Sequence, residues 1–154
     1  VVDTYIELYN LAEGSKVPMK VLITLFFLLI PLSLAFTAEI LESDMNKDGT
    51  ADGWTHVKDG NVVKQELDIN FDGKVDAVFF YDWNGKVKEE VLDTDYDGKM
   101  DNWRGYEDGS LVIDKLDSNQ DGRIDIWFYV DRGKIIRLEK DTTGDGRPDT
   151  VNEF

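Results

Sequence analysis

Apolar residues in this chain cluster in short runs that come in pairs. "AVFFY" (Ala77 to Tyr81) and "IWFYV" (Ile126 to Val130) are aromatic and β-branched. Each is followed by a turn signal and then by a second run that mixes apolar and charged positions. The turns are Asp59-Gly60, Asn84-Gly85, Asp108-Gly109 and Arg132-Gly133, and the return runs are "NVVKQEL", "KVKEEVL", "SLVIDKL" and "KIIRLEK". Asp-Gly or Asn-Gly between such runs is a strong local hairpin signal, and Arg132-Gly133 is the weakest of the four. The glycine near the middle of each pair, with β-branched residues around it, argues against helix. Four β-hairpins are therefore expected. Aligned on their turns, they share apolar columns: Trp54, Val78, Trp103 and Trp127; then Val57, Tyr81, Tyr106 and Val130; then Val62, Val87, Leu111 and Ile135. Val57 with Val62, and Val130 with Ile135, should face each other across their hairpins. "WNG" (Trp83 to Gly85) carries one extra residue, which a three-residue loop with Gly85 at a bulge absorbs.

Acidic segments separate the hairpins. Five nine-residue stretches recur: "DMNKDGTAD" from Asp44, "DINFDGKVD" from Asp68, "DTDYDGKMD" from Asp93, "DSNQDGRID" from Asp117 and "DTTGDGRPD" from Asp141, with starts 24, 25, 24 and 24 residues apart. A fixed period of this size signals a repeat architecture. The expected fold is all-β: tandem β-hairpin repeats linked by calcium-binding loops in an elongated stack. An open stack and a slightly closed barrel both fit the pattern. A single hairpin is marginal in water, so neighbouring units should bury each other's Trp and Tyr columns.

Three or four carboxylates within nine residues repel one another unless a cation sits among them. Numbering each stretch from its first aspartate, positions 1, 3, 5 and 9 offer side-chain oxygens and position 7 a carbonyl, the hard donors that calcium prefers. The first loop supplies Asp44, Asn46, Asp48 and Asp52 with the Thr50 carbonyl; the second, Asp68, Asn70, Asp72 and Asp76 with Lys74. The third supplies Asp93, Asp95, Asp97 and Asp101 with Lys99; the fourth, Asp117, Asn119, Asp121 and Asp125 with Arg123. The fifth has Asp141, Asp145 and Asp149 with Arg147, but Thr143 stands at position 3. Up to five Ca²⁺ ions are expected, the fifth site being the weakest, with Mg²⁺ as the rival ion. Lys74, Lys99 and Arg123 should swing their charges outward. Glycine at position 6 permits a tight turn, and the apolar residue at position 8 (Ala51, Val75, Met100, Ile124, Pro148) should tuck the loop onto the sheet.

The pattern D-x-[DN]-x-D-G-x-x-D resembles the calcium loops of EF-hand proteins, dockerins and thrombospondin type 3 repeats. The resemblance stops at position 9. Position 12, where an EF-hand has a bidentate glutamate, is Thr55, Phe79, Arg104, Phe128 and Asn152, and no entering helix precedes the loops. A helix-pair sensor is therefore not expected. Water or a strand carboxylate such as Glu42, Glu66 or Asp114 would have to complete the coordination.

Composition narrows the rest. The chain of 154 residues has 32 acidic and 17 basic residues, a formal net charge of −15, which argues against nucleic acid as a partner. There is no cysteine, so neither a disulfide nor a thiolate site exists, and one histidine, His56, is too little for a typical histidine-based metal centre. No nucleophile–base set or phosphate-binding loop is legible, and the chain is not expected to be an enzyme. A glycosidase using paired carboxylates is a remote alternative. The leading expectation is a secreted or periplasmic calcium-binding scaffold or binding module. An alternative is a carbohydrate- or protein-binding face made by Trp54, Trp103, Trp127 and Tyr106, with an extracellular protein or glycan as partner.

Residues 19–38, "MKVLITLFFLLIPLSLAFTA", have the charge, apolar run and small residues of a signal peptide. The expected division is an upstream segment 1–18, outside the natural product if translation starts at Met19; a signal peptide 19–35; and a repeat domain 39–154. Left uncleaved, residues 21–38 would anchor the chain in a membrane with the repeats outside the cytoplasm. N-terminal sequencing of protein from its native host should find Phe36 or Glu39 first; an intact Leu22 to Leu34 segment would establish the anchor.

Overall fold

A computed structural model describes residues 38–154. The expected leader and upstream segment lie outside the described residues. Ten strands follow one another: β1 (Ala38–Ser43), β2 (Gly53–Lys58), β3 (Asn61–Leu67), β4 (Ala77–Tyr81), β5 (Val87–Leu92), β6 (Asn102–Glu107), β7 (Ser110–Leu116), β8 (Ile126–Asp131), β9 (Lys134–Lys140) and β10 (Thr150–Glu153). They form one antiparallel sheet in strict sequence order, β1 to β10. The hairpins thus stack edge to edge, as an open sheet rather than a barrel. The substantial contacts of each strand are with its immediate neighbours. Among the described residues, no helix is long and apolar enough to cross a membrane.

The turns form as their residues dictate. Asp59-Gly60, Asp108-Gly109 and Arg132-Gly133 all have paired positive φ values, 54° and 78°, 52° and 81°, 47° and 76°. This is the type I′ geometry whose twist matches that of flanking strands. Arg132 adopts it although it lacks the local hydrogen bonding that helps Asp there, because the sheet on both sides fixes the strand ends. The longer turn closes by hydrogen bonds from Gly85 N to the Asp82 carbonyl (3.1 Å) and from Asp82 N to the Lys86 carbonyl (2.8 Å), with Gly85 at φ 77°. The Asp82 carboxylate also accepts from the backbone N–H groups of Asn84 and Lys86. Those bonds hold its carboxyl below the ordinary range, the Lys86 N–H contributing most.

The two expected cross-strand pairs are present, Val57 opposite Val62 and Val130 opposite Ile135, and the structure adds Tyr81 opposite Val87 and Tyr106 opposite Leu111 at the same step. Beside each pair the register slips by one residue, between His56/Val57, Phe80/Tyr81, Gly105/Tyr106 and Tyr129/Val130. Val63, Lys88, Val112 and Ile136 are the extra residues. A bulge at the same step of every hairpin adds twist and re-aims the return strand, and no residue type at that step announces it.

The sheet is a single layer, so the Trp column does not close into a core. Trp54, Trp103 and Trp127 are half-buried on one face. In register, return-strand residues separate them: Trp103 pairs with Lys115, and Lys115 with Trp127. Among the described residues, Ala77 and Val78 are the buried hydrophobic ones. Long polar side chains shelter the aromatic rings instead. Lys64 Nζ lies 5.9 Å from the Phe80 ring centroid and the Arg137 guanidinium 5.3 Å from that of Tyr129. Glu66 accepts from Lys64 at 2.6 Å and sits 2.5 Å from His56 Nε2, so His56 is a hairpin side chain in an ion-pair cluster.

Gly105 gives a direct test of this packing. A Cβ built there would lie 2.8 Å from the Ile113 Cγ2 methyl, across the pair of β6 and β7. Gly105→Ala should lower unfolding free energy by about 1–3 kcal/mol through overpacking. Gly85→Ala meets no atom within 4 Å but keeps φ 77°, so its cost should come from backbone strain alone, about 1–2 kcal/mol. Urea unfolding of both variants measures the two.

Candidate metal site

All five acidic loops lie along one end of the sheet, because each joins a return strand to the next outgoing strand. Successive loops are two strands apart, about 9.5 Å at ordinary strand spacing. Their backbone path repeats. Position 4 is left-handed in every loop: Lys47, Phe71, Tyr96 and Gln120 have φ of 66°, 64°, 63° and 62°, and Gly144 has 76°. Position 6 is always glycine with positive φ. The non-glycine residues at position 4 are in a region that costs roughly 1 kcal/mol each, and only the fifth loop avoids that cost.

Hydrogen bonds to carboxylates hold this path. The aspartate at position 1 accepts from the position-6 glycine N–H in all five loops, at 2.9, 2.7, 2.7, 2.7 and 2.6 Å. Position 3 accepts from the N–H of position 5 in the first four loops, and position 5 accepts from that of position 7 in all five. The position-9 carboxylate reaches back to the start of its own loop. Asp52 accepts from Met45 N and Asn46 N, and Asp76 from Ile69 N and Asn70 N. In the last three loops a hydroxyl joins in: Thr94, Ser118 and Thr142 donate to Asp101, Asp125 and Asp149. These position-2 hydroxyls were missed by the ligand pattern, although their spacing of seven residues from the position-9 acid is visible in the sequence.

The loops are also joined to one another. The N–H of each position 1 donates to the position-9 carbonyl of the preceding loop: Asp68 to Asp52, Asp93 to Asp76, Asp117 to Asp101 and Asp141 to Asp125, at 2.8–2.9 Å. These eight aspartates are buried, between 2 and 8 % exposed. Asp44 and Asp149, which lack such a neighbour among the described residues, are exposed. Among the described residues none of the eight pairs with a lysine or arginine; the carboxylates that the basic side chains of the loops pair with are those of Asp72 and Asp97. Around Asp141, burial pushes the carboxyl up, but the N–H groups of Gly146, Gly144 and Thr143 outweigh it and hold it below the ordinary range. Asp48 is likewise lowered, first by the Thr50 hydroxyl and then by the Thr50 N–H and the Asn46 amide.

Carboxylate oxygens of Asp93, Asp95 and Asp101 lie within 4.8 Å of one another. These three could hold a metal ion. The third loop is the one with a carboxylate at position 3; Asn46, Asn70, Asn119 and Thr143 hold that place elsewhere. A metal also fits the second loop by a separate observation: Asp76 Oδ1 is buried with no hydrogen-bond partner, although Asp76 Oδ2 accepts two N–H groups. The donors in both loops are oxygens, suited to a hard cation.

Other expected residues are placed differently. Lys74 crosses to the next loop, its Nζ 3.4 Å from the Asp97 carbonyl, and Arg123 does the same, 3.0 Å from the Gly144 carbonyl. Lys99 folds onto Asp97 at 3.3 Å. None of the three swings free, because the acidic neighbours attract them. Gln120 likewise bonds Asp95 of the preceding loop. Glu66 is held by Lys64 and His56, and Asp114 by Asn102 and Arg104, so both are committed on the sheet. Glu42 lies opposite Trp54. Ala51, Val75, Met100 and Ile124 are half-buried as expected of position 8, whereas Pro148 is exposed.

No protein-family profile and no curated protein matches the chain. Among solved structures, accessory secretory protein 1, 2 and 3 in Streptococcus pneumoniae contains a chain that superposes with a TM-score of 0.50 at 15 % identity, over 68 % of this chain and 19 % of that one. TarM gives a TM-score of 0.27 at 15 % identity, over 89 % of this chain and 27 % of its own. The first is a likeness of fold; the second carries no argument. This chain spans less than a third of either. Fold and loops together define a β-hairpin repeat protein with carboxylate-lined loops.

The position-9 aspartate should matter with or without an ion. In chelator, Asp76→Ala should cost about 1.5–3 kcal/mol by freeing the Ile69 and Asn70 N–H groups. Asp72→Ala, which removes only an exposed acceptor for Lys74 N, should cost far less. Urea unfolding in chelator compares them.

Proposed function

We propose that the chain is a calcium-stabilised repeat scaffold acting outside the cytoplasm, secreted or periplasmic. The observation that carries this is the burial of eight aspartates with no basic side chain among them. Buried carboxylates are tolerated when hydrogen-bonded and offset by charge. Backbone N–H groups supply the first condition, and a divalent cation would supply the second. Calcium is favoured over magnesium because an irregular loop offering several oxygens suits its flexible sphere of about 6–8 ligands, whereas magnesium demands near-ideal octahedral geometry and is bound by fewer protein groups. Ions in all five loops would also offset much of the formal net charge of −15.

Ion binding would tie each hairpin to the next, since the loops connect the repeats and touch across them. Extracellular modules bind calcium at ~10⁻⁴–10⁻³ M, a range in which the scaffold is loaded outside cells and loosened inside them. A second reading, a binding face for a protein or glycan, is favoured by the half-buried row of Trp54, Trp103 and Trp127 on an uncovered face. It is compatible with the scaffold and would give it a cargo.

Calorimetric titration of chelator-stripped protein should give a calcium stoichiometry near five, or four if Thr143 disables the last loop. Binding should raise the melting temperature by mass action. No heat and no thermal shift at millimolar calcium would remove the proposal, and a larger shift with magnesium would change the ion.

A further inference from the structure

We infer that the second loop, Asp68 to Asp76, is the first and tightest cation site of the array, an inference that rests on the ion binding proposed above. Counting charges gives a different answer. The third loop carries Asp93, Asp95, Asp97 and Asp101, whereas the second has Asn70 in place of one acid. More ligand charge ordinarily means tighter binding.

The partners of those carboxylates reverse the order. In the third loop Asp95, Asp97 and Asp101 are already engaged by side chains, and Asp93 alone accepts only from the loop's own backbone. Thr94 Oγ1 lies 2.8 and 2.9 Å from the two Asp101 oxygens, Gln120 bonds Asp95, and Lys99 Nζ stands 3.3 Å from Asp97 Oδ2. Lys74 Nζ adds a second positive charge 3.4 Å from the Asp97 carbonyl. An entering ion must displace or share these groups and meet two ammonium charges.

In the second loop, position 2 is Ile69, which has no hydroxyl. Both N–H groups fall on Asp76 Oδ2, and Oδ1 is left buried without a donor. Asp76 is 2 % exposed, so water does not relieve that oxygen from the surface. The equivalent carboxylate of the third loop, Asp101, lies within 4.8 Å of the position-1 and position-3 oxygens. The shared loop path therefore places Asp76 at the same station beside Asp68 and Asn70. A buried, unpaired carboxylate oxygen is a standing cost that a cation removes on binding. Among the described residues the ion pair to this loop is that of Lys74, 4.0 Å from Asp72. The first loop also has an apolar residue at position 2, Met45, but its Asp48 is engaged by Asn46 Nδ2 at 2.9 Å and by the Thr50 hydroxyl at 2.5 Å. Between the second and third loops the residue at position 2 thus sets the order: Ile69 leaves position 9 open, and the Thr94 hydroxyl fills it.

The test is a calcium chloride titration of the chelator-stripped full chain, followed by the ¹⁵N–¹H signals of Gly73 and Gly98. Each of these N–H groups sits on the position-1 carboxylate of its own loop. Gly73 should shift at a calcium concentration about tenfold lower than Gly98, the effect of one extra satisfied polar group. Ile69→Thr should move the Gly73 midpoint up toward that of Gly98, and Thr94→Val should move the Gly98 midpoint down. Asp76→Asn, which keeps an acceptor for the two N–H groups, should abolish the early transition and leave Gly98 unchanged. Coincident midpoints, Gly98 moving first, or an order untouched by Ile69→Thr and Thr94→Val would overturn the inference while leaving ion binding in place. No movement of either signal at millimolar calcium would overturn the ion-binding proposal itself.

Discussion

The structure depends on aspartate carboxylates that accept backbone N–H groups at the end of the sheet. In most small domains the buried interior is aliphatic and the acids lie outside. Here the relation is inverted. Among the described residues two hydrophobic ones, Ala77 and Val78, are buried, against eight aspartates. Among the described residues the sheet is a single layer, with no second layer on which to bury its aromatic columns. Cross-strand pairing and sheltering by long polar side chains hold the strands together, and the loop bases provide the place where the chain is closed from water.

This arrangement is costly without a compensating charge. A carboxylate that accepts two or three N–H groups is well solvated by the protein, yet four adjacent pairs of them build up negative potential along one edge. Neighbouring loops respond with their own cations: Lys74 and Arg123 cross to the next loop rather than extending into solvent. Those side chains lie against carbonyl oxygens and exposed acids, and the buried carboxylates keep only N–H and hydroxyl donors. That division is the physical support for the ion binding proposed above.

Much of this was legible in the sequence. The period, the hairpin turns and the facing valines follow from Asp-Gly signals and β-branched runs, and even the extra residue of "WNG" could be placed at Gly85. What the sequence hid is what depends on the third dimension. The repeated bulge at Val63, Lys88, Val112 and Ile136 is set by strand twist and by the register of the neighbours, and β-branched residues like three of these four are common throughout the strands and do not mark the step. The Trp column looked like a core because its spacing is regular; it is not one, because Glu66, Lys115 and Glu139 come between the rings or beside them in register. Position 9 read as a ligand, and the structure gives it a prior task as the acceptor that closes the loop. The seven-residue spacing from Thr94, Ser118 and Thr142 carried that signal, but a pattern built from oxygen donors alone treats hydroxyls at position 2 as spacers.

Because each loop touches only its neighbours, stability should be a sum of unit and junction terms, as in other repeat architectures. The junction is unusually explicit here. One backbone hydrogen bond, from position 1 of a loop to the position-9 carbonyl of the loop before it, carries the sheet ladder through the loop bases. The same step buries both aspartates, while Asp44 and Asp149, outside any such junction among the described residues, stay exposed. Burial of a loop aspartate is therefore a property of the junction and not of the loop sequence. The junction uses the backbone carbonyl of position 9, so a side-chain change there acts on its own loop and leaves the link to the next in place.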